Sequence, residues 1–254
     1  MNNVRFLNAV AVLLALAAAA LILGGAALWI AQRPAFDFVR IEVRGELQHV
    51  TAASVRAAIA GRLRGNYFTM RLDDTRRLFE TVPWVARAGV RRVWPNRLRV
   101  ELIEYRALGS WDDGRLLSDS GELFVANSAE AEIFGPLASF SGPPAVAPEA
   151  ARRYYEFATA LAVIALTVDT IDVSERRSWS LQASGAGVPA TRVELGRDEA
   201  ARPLQQRLAD VVAAYPMMVA RVGGPPQRID ARYSNGIAAS APVPKANQAP
   251  LAHP

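Results

Sequence analysis

The segment from Val10 to Ile30 contains no charged or strongly polar side chain, and it constrains the fold more than any other feature of the sequence. As an α-helix with a rise of about 1.5 Å per residue, the segment spans roughly 30 Å, the thickness of the hydrocarbon core of a bilayer. Trp29 lies at its end, where an amphipathic indole ring suits the lipid–water interface. The sequence therefore predicts a transmembrane helix over residues 10–30, preceded by a stub over residues 1–9.

Two other interpretations of this segment fit less well. A buried helix of a soluble protein would show polar residues at a regular spacing, and none is present. A cleavable signal peptide has an apolar region of only about 7–15 residues that ends close to its cleavage site. Here the run is longer, and the small-residue candidate Ala18–Ala20 lies in its middle. An uncleaved anchor is favoured, but its direction is open, because Arg5 precedes the span and Arg33 follows it.

The composition favours a binding role over catalysis. The chain has no cysteine and two histidines, His49 and His253, which leaves no Cys–His pair and no thiolate or histidine-rich metal site. No catalytic or phosphate-binding motif was found, and we expect no enzyme activity, cofactor, metal or small-molecule substrate. The 29 basic residues exceed the 24 acidic ones, but the two signs are interleaved, as in Arg40-Glu42-Arg44. This mixing argues against a nucleic-acid-binding surface.

Residues 36–106 show the pattern of a small mixed domain. Its first strand alternates apolar and charged residues, which is typical of a half-buried strand, and Gly and Pro residues separate the following elements. The predicted elements are a strand over 39–43, a helix capped by Thr51 and continuing to Leu63, a helix over 73–81, and a hairpin with strands over 85–93 and 98–102. The predicted order is β-α-α-β-β, a three-stranded sheet with helices on one face.

Residues 107–240 predict a mostly antiparallel β-domain with flanking helices. The elements are short strands between residues 111 and 125, a helix over 148–165, strands over 167–173, 178–183 and 191–195, a helix over 198–214 and a strand over 228–233. Residues 241–254 are rich in Pro and Ala with little to bury, and we predict a disordered tail there. The fold class is therefore α+β, with an N-terminal transmembrane helix.

Several blocks of this sequence resemble the FtsQ/DivIB family of bacterial cell-division proteins. They lie in the expected order and cover nearly all of residues 36–240, so the combination is specific where a single block is not. The matching residues are Pro83-Trp84-Val85, Ala88, Val90-Arg91-Arg92, Trp94-Pro95, Leu98, Val100, Leu102 and Glu104, then Ala107, Trp111, Asp119-Ser120-Gly121, Phe124, Arg176-Arg177-Ser178-Trp179, Leu195-Gly196-Arg197, Tyr215-Pro216 and Asp230-Ala231-Arg232-Tyr233.

The resemblance implies an architecture and a function that periodicity does not show. It implies a cytoplasmic N-terminus, one inner-membrane helix, and a POTRA domain and β-domain in the periplasm at the division septum. Such proteins are non-enzymatic scaffolds of the divisome that link early and late cell-division proteins during septum formation. The resemblance implies FtsB and FtsL as partners of the β-domain and other divisome proteins as partners of the POTRA domain.

The resemblance also implies site residues. In this family the partner adds a strand to the last strand of the β-domain, by the backbone pairing that an open sheet edge offers. Carried onto this chain, the binding strand and its flank comprise Arg232, Tyr233, Ser234, Asn235, Gly236, Ile237 and Ala238, and Arg177 or its neighbour Arg176 would pair with an acid on FtsB. Arg91 and Arg92 are the candidate POTRA surface. The chain departs from the family at Asn235, where serine is frequent, and near Ala241, where a tryptophan is frequent.

Two other functions remain as alternatives. A POTRA-containing component of protein translocation or outer-membrane assembly would need a pore segment, and residues 107–254 lack the long alternating strands of a barrel. A membrane-anchored cell-wall enzyme would need catalytic groups that the sequence does not show. Trp84, Trp94 and Trp111 are expected to pack in the core or in turns rather than to contact partners.

Overall fold

The computed structural model describes residues 2–233 and 235–241. Ser234 of the predicted binding strand, and the predicted tail beyond Ala241, lie outside the described residues. The chain forms two compact units, which divide between Glu104 and Tyr105.

Both units contain helices and strands. The helices are α1 (Asn2–Ala31), α2 (Ala52–Ile59), α3 (Leu72–Phe79), α4 (Ser128–Glu132), α5 (Ala147–Ala162) and α6 (Leu204–Val222). The strands are β1 (Arg40–Arg44), β2 (Val85–Val93), β3 (Arg97–Glu104), β4 (Ala107–Trp111), β5 (Leu116–Ser118), β6 (Leu123–Phe124), β7 (Ala138–Ser141), β8 (Thr167–Val173), β9 (Ser178–Gly185), β10 (Val188–Arg197), β11 (Arg228–Asp230) and β12 (Ala238–Ser240).

Helix α1 contains the predicted membrane span. In the described part of the chain, Phe6–Ala31 is the one helical segment long and apolar enough to cross a bilayer. Among the described residues, little covers its large side chains: Leu14 is 66% exposed and Leu21 is 77% exposed. An apolar surface of this size is unfavourable in water and favourable in lipid.

The first unit confirms the predicted β-α-α-β-β order. Its sheet has the strand order β1-β3-β2, with β1 parallel and β2 antiparallel to β3. Thr51 caps α2, because its hydroxyl accepts a hydrogen bond from the Ser54 N–H while the Ser54 hydroxyl accepts one from the Thr51 N–H. The helix stops at Ile59 and not near Leu63 as predicted, because Gly61 follows in the left-handed region with a φ of 66°.

Glu104, the last residue of β3, holds the segment that leads from β1 into α2. Its carboxylate accepts hydrogen bonds from the backbone N–H groups of Gln48, His49 and Val50 at 2.6–3.2 Å. Burial acts to raise the pKa of Glu104, but these bonds and one to the His49 ring outweigh it and leave the pKa below its ordinary value. The ionised carboxylate therefore stabilises this unit.

The second unit is built on one nine-stranded sheet. The strand order is β12-β11-β10-β9-β8-β7-β4-β5-β6. Five of its eight strand pairings are antiparallel and three are parallel, so the domain is mostly antiparallel as predicted. The three parallel pairings arise where a helix or a long connection returns the chain to the same direction, as α6 does between β10 and β11.

The two faces of this sheet differ. Helices α5 and α6 pack on one face, where Phe157 and Trp179 are each 1% exposed and meet edge to face at 6.3 Å. The other face carries charge, because strand residues alternate between faces. There, Glu194 forms ion pairs with Arg192 at 2.9 Å and with Arg228 at 3.5 Å.

Helix α6 differs most from its prediction. It begins at Leu204, after Pro203 in the N-cap position, and continues past the predicted end at residue 214 to Val222. Pro216 does not end the helix, although it removes one backbone donor. Met218, one turn beyond the buried Tyr215, is 8% exposed and keeps the apolar stripe in contact with the sheet.

We predict that Glu104→Gln lowers the free energy of unfolding of the first unit by about 1–3 kcal/mol at pH 7, because hydrogen bonds to a charged acceptor are lost. Since the folded pKa of Glu104 lies below its usual 4.5, this stabilisation is present above that pH and is lost as the pH falls through the folded pKa. The gap between wild type and variant should therefore narrow below about pH 4.5. Hydrogen exchange of peptides from β2 and β3 in the full chain measures this difference in the free energy of unfolding between wild type and variant.

Glu101→Gln is the matched control for this substitution. Glu101 lies on the same strand, but its side chain is 57% exposed and pairs with Arg91 at the surface. Exposed ion pairs contribute only about 0–1 kcal/mol, so this variant should change stability little. Equal effects at both positions would contradict the role assigned to Glu104.

Candidate functional site

The C-terminal hairpin forms one edge of the nine-stranded sheet. Strand β11 pairs in parallel with β10, with Ile229 opposite Val193, and β12 pairs antiparallel with β11, with Ala239 opposite Ile229. The order ends at β12, whose outer side has no strand partner among the described residues. Such an edge presents unpaired backbone donors and acceptors to another chain.

The last strand begins later than the sequence predicted. Of the predicted strand from Tyr233 to Ala238, only Ala238 belongs to β12, and its remaining described residues belong to the connection from β11. The physical reason is that β12 runs antiparallel to β11, so the chain must reverse within residues 231–237. Gly236 and Asn235 suit such a reversal better than a strand. Tyr233 is 55% exposed at the start of this connection.

Arg232 is fixed by Asp230 at the end of β11. Its Nε and Nη2 donate to the two carboxylate oxygens at 2.9 and 2.6 Å, and its backbone N–H donates to one of them at 3.1 Å. This pairing lowers the pKa of Asp230 and raises the pKa of Arg232. Arg232 therefore stabilises the backbone where the chain leaves β11, and its half-exposed guanidinium remains accessible at the surface.

Arg202 is a site residue that the sequence did not reveal. Its guanidinium donates to the backbone carbonyl of Tyr233 and, at 3.0 Å, to a carboxylate oxygen of Asp210 on α6. It thereby ties the connection before β12 to the helix. No local pattern marks this contact, since Arg202 and Tyr233 are 31 residues apart.

A groove lies between the last strand and the second half of α6. Its apolar lining comes from Met217, Met218, Ile237 and Ala239, and Arg221 lies at its margin. Met217 is 66% exposed, and a methionine side chain adapts readily to different apolar partners. The edge strand thus has an apolar groove directly beside it.

Arg176 and Arg177 lie in the turn between β8 and β9. Arg177 has a φ of 60°, which the turn requires, and its guanidinium forms an ion pair with Glu149 of α5. Arg176 is exposed. Because Ser178 pairs with Arg197 at the end of β10, the turn lies at the same end of the sheet as the exit of β11. Strand β9, which follows the turn, lies two strand spacings from β11, about 10 Å.

The two arginines proposed as a surface of the first unit have different environments. Arg91 is exposed and pairs with Glu101 at 3.0 Å. Arg92 is less exposed, and its Nη2 donates to the backbone carbonyl of Met70 at 2.5 Å. Arg92 therefore supports the loop before α3, and Arg91 is the more accessible of the pair.

Two family models match this chain. The model described as the FtsQ-type POTRA domain matches residues 36–105. The model described as the C-terminal domain of the cell division protein FtsQ/DivIB matches residues 109–232. Together they span most of the two structural units.

Similar proteins from several bacteria carry one name. A protein named "Cell division protein FtsQ" from Burkholderia pseudomallei is 42% identical over 237 residues, which cover 93% of this chain and 92% of the relative. Proteins of the same name from Bordetella pertussis and Nitrosospira multiformis are 37% and 32% identical, over 96% and 83% of this chain and 94% and 86% of the relatives.

Proposed function

Because the chain belongs to the FtsQ/DivIB family of bacterial cell division proteins, we propose that it is a bitopic inner-membrane scaffold of the divisome. In this proposal the second unit binds FtsB and FtsL, the POTRA domain contacts further divisome proteins, and the chain links early and late components during septum formation. The role is that of a binding protein without a catalytic step.

The observation that carries the proposal is the open edge of β12. A partner segment that pairs with it would continue the nine-stranded sheet by one strand, and each new backbone hydrogen bond would replace one to water. Ala238, Ala239 and Ser240 have small side chains, which allow a partner strand to approach closely.

Specificity would come from the side chains around the edge. The groove beside α6 can take apolar side chains from alternate positions of an added strand, since these point to one face. Tyr233 offers a large exposed ring at the start of the connection that leads to β12, and tyrosine and arginine are enriched among residues that dominate interfaces. Arg177 pairs with Glu149 through Nη2 and its side chain is 55% exposed, so an acidic partner would either share its guanidinium with Glu149 or displace Glu149.

The proposal includes an orientation. We propose a cytoplasmic N-terminus and a periplasmic location for both units, at the division septum. The flanking arginines do not favour either direction, so this part rests on membership of the family.

A reporter enzyme that is active only in the cytoplasm, fused to the C-terminus, should give no activity. Activity of that fusion would contradict the orientation.

Binding of the full chain in detergent to a peptide from the periplasmic part of FtsB tests the site. We expect Tyr233→Ala and Arg177→Glu each to weaken binding by at least about tenfold, as for substitutions at interface anchors. Glu149→Gln removes the intramolecular partner of Arg177 and should leave binding unchanged or tighter. Affinity can be measured by fluorescence anisotropy of the labelled peptide.

Two matched controls lie on α5. Tyr155 is 50% exposed and Arg152 is exposed. Tyr155→Ala and Arg152→Glu should not change the affinity. Binding that survives both site substitutions would show that the site lies elsewhere, and a lack of any binding by the wild-type chain would refute FtsB as a direct partner.

A further inference from the structure

Four aromatic side chains form a cluster at one end of the first unit, which we call the aromatic end. Phe36 lies 4.9 Å from Phe68 and 5.8 Å from Trp94 between ring centroids. Tyr67 lies 5.3 Å from Phe68 and 5.4 Å from Trp94. The rings meet mainly edge to face, a favourable arrangement for aromatic pairs.

This cluster is not part of the hydrophobic core. Trp94 is 61% exposed and Phe68 is 49% exposed, whereas Trp84 and Phe79 of the same unit are 3% and 0% exposed. Val39, beside the cluster, is 78% exposed. A contiguous exposed apolar surface of this kind marks an interaction site more often than single exposed residues do.

The aromatic end lies where the chain leaves the membrane helix. The Asn66 side chain donates to the carbonyl oxygen of Ala31, the last residue of α1, at 2.5 Å. The next residue, Tyr67, donates its backbone N–H to the carbonyl oxygen of Phe36 at 2.9 Å. Because Phe36 follows Ala31 by five residues, the chain places the cluster within about 18 Å of the helix end.

Positive charge surrounds this end. Three segments meet there, through the Tyr67–Phe36 bond and through hydrogen bonds from the Val39 N–H to Asn96 and from Arg92 to Met70. Residues 32–41, 61–71 and 91–99 together contain nine arginines and one acidic residue, Asp37. Four of these arginines form ion pairs with acids just outside the three ranges: Arg71 with Asp74, Arg91 with Glu101, and Arg97 and Arg99 with Glu42. With these acids included, nine arginines stand against four acids, which leaves an excess of positive charge.

We propose that the aromatic end seats this domain in the anionic headgroup layer of the bilayer that α1 crosses. Aromatic rings with a polar edge prefer the lipid–water interface, and arginines are attracted to lipid phosphates. The same pattern already occurs at the end of the helix, where the Arg33 guanidinium stacks 3.5 Å from the centre of the Trp29 ring. Lipid is favoured over a protein partner because the patch is continuous with the end of a membrane span.

Tryptophan quenching in the full chain tests this proposal. The chain has five tryptophans, and after Trp29→Phe the exposed one is Trp94, because Trp84, Trp111 and Trp179 are 1–3% exposed. The variant is placed in nanodiscs that contain lipids with a nitroxide quencher near the headgroup. We expect a quenched fraction at least about twofold that of Trp29→Phe combined with Trp94→Phe, as for an interfacial indole. Quenching should be stronger with phosphatidylglycerol than with phosphatidylcholine alone.

Substitutions separate docking from mere tethering. Phe68→Ser in the Trp29→Phe background should reduce quenching, whereas Ile103→Ser, which removes a 61% exposed apolar side chain at the far end of β3, should not. Quenching no greater than in the double Phe variant, or equal effects of the two serine substitutions, would overturn the proposal. If quenching is no greater than in the double Phe variant, the cluster would instead be a binding surface for a protein partner.

Discussion

The pairing of β11 with β10 is the constraint on which the candidate binding site depends. Helix α6 returns the chain so that β11 joins the sheet in parallel, and the reversal after Asp230 then leaves β12 as the outermost strand among the described residues. The buried stripe of α6 that ends at Met218 supports this return on one face. On the other face, the ion pair between Glu194 and Arg228 connects β10 to β11. Because both faces hold this edge in place, little of it has to become ordered when a partner strand binds.

Charge is divided between the two units in a way that suits a tethered protein. Residues 1–104 contain 15 basic and 8 acidic residues, and residues 105–254 contain 14 and 16, which together give the 29 and 24 of the chain. The excess positive charge thus belongs to the part next to the membrane helix, where an anionic surface is within reach. The unit with the open sheet edge carries no such excess and would meet its partners by backbone pairing and side-chain fit.

The type of most elements was predictable from the sequence, but helix α4, strand β7 and the long-range placement of elements were not. Alternation over residues 39–43 and the Thr51 cap are local signals, and they gave the β-α-α-β-β order. Helix α6 continues past the predicted end at residue 214, where Tyr215 and Met218 remain buried in contact with the rest of the domain. The β12 boundary depends on the reversal after β11, and the Arg202 contact joins residues 31 apart. One local signal was available for Arg207, which lies between Leu204 and Leu208 on the apolar stripe of α6 and is 4% exposed. A charged residue on such a stripe indicates buried hydrogen bonds, and Arg207 donates to the backbone carbonyls of Leu195 and Arg197.

Disulfide mapping between β12 and FtsB tests the central claim, strand addition at the open edge, most directly. The chain contains no cysteine, so a single cysteine at Ala238 or Ser240 pairs only with cysteines placed one at a time along the FtsB segment. Strand pairing predicts cross-linking at every second FtsB position, shifted by two positions between the two sites. A period of three to four residues, as in a helix, would contradict the account. Equally strong cross-linking from a cysteine at Val125, beside β6 at the opposite edge of the sheet, would also contradict it.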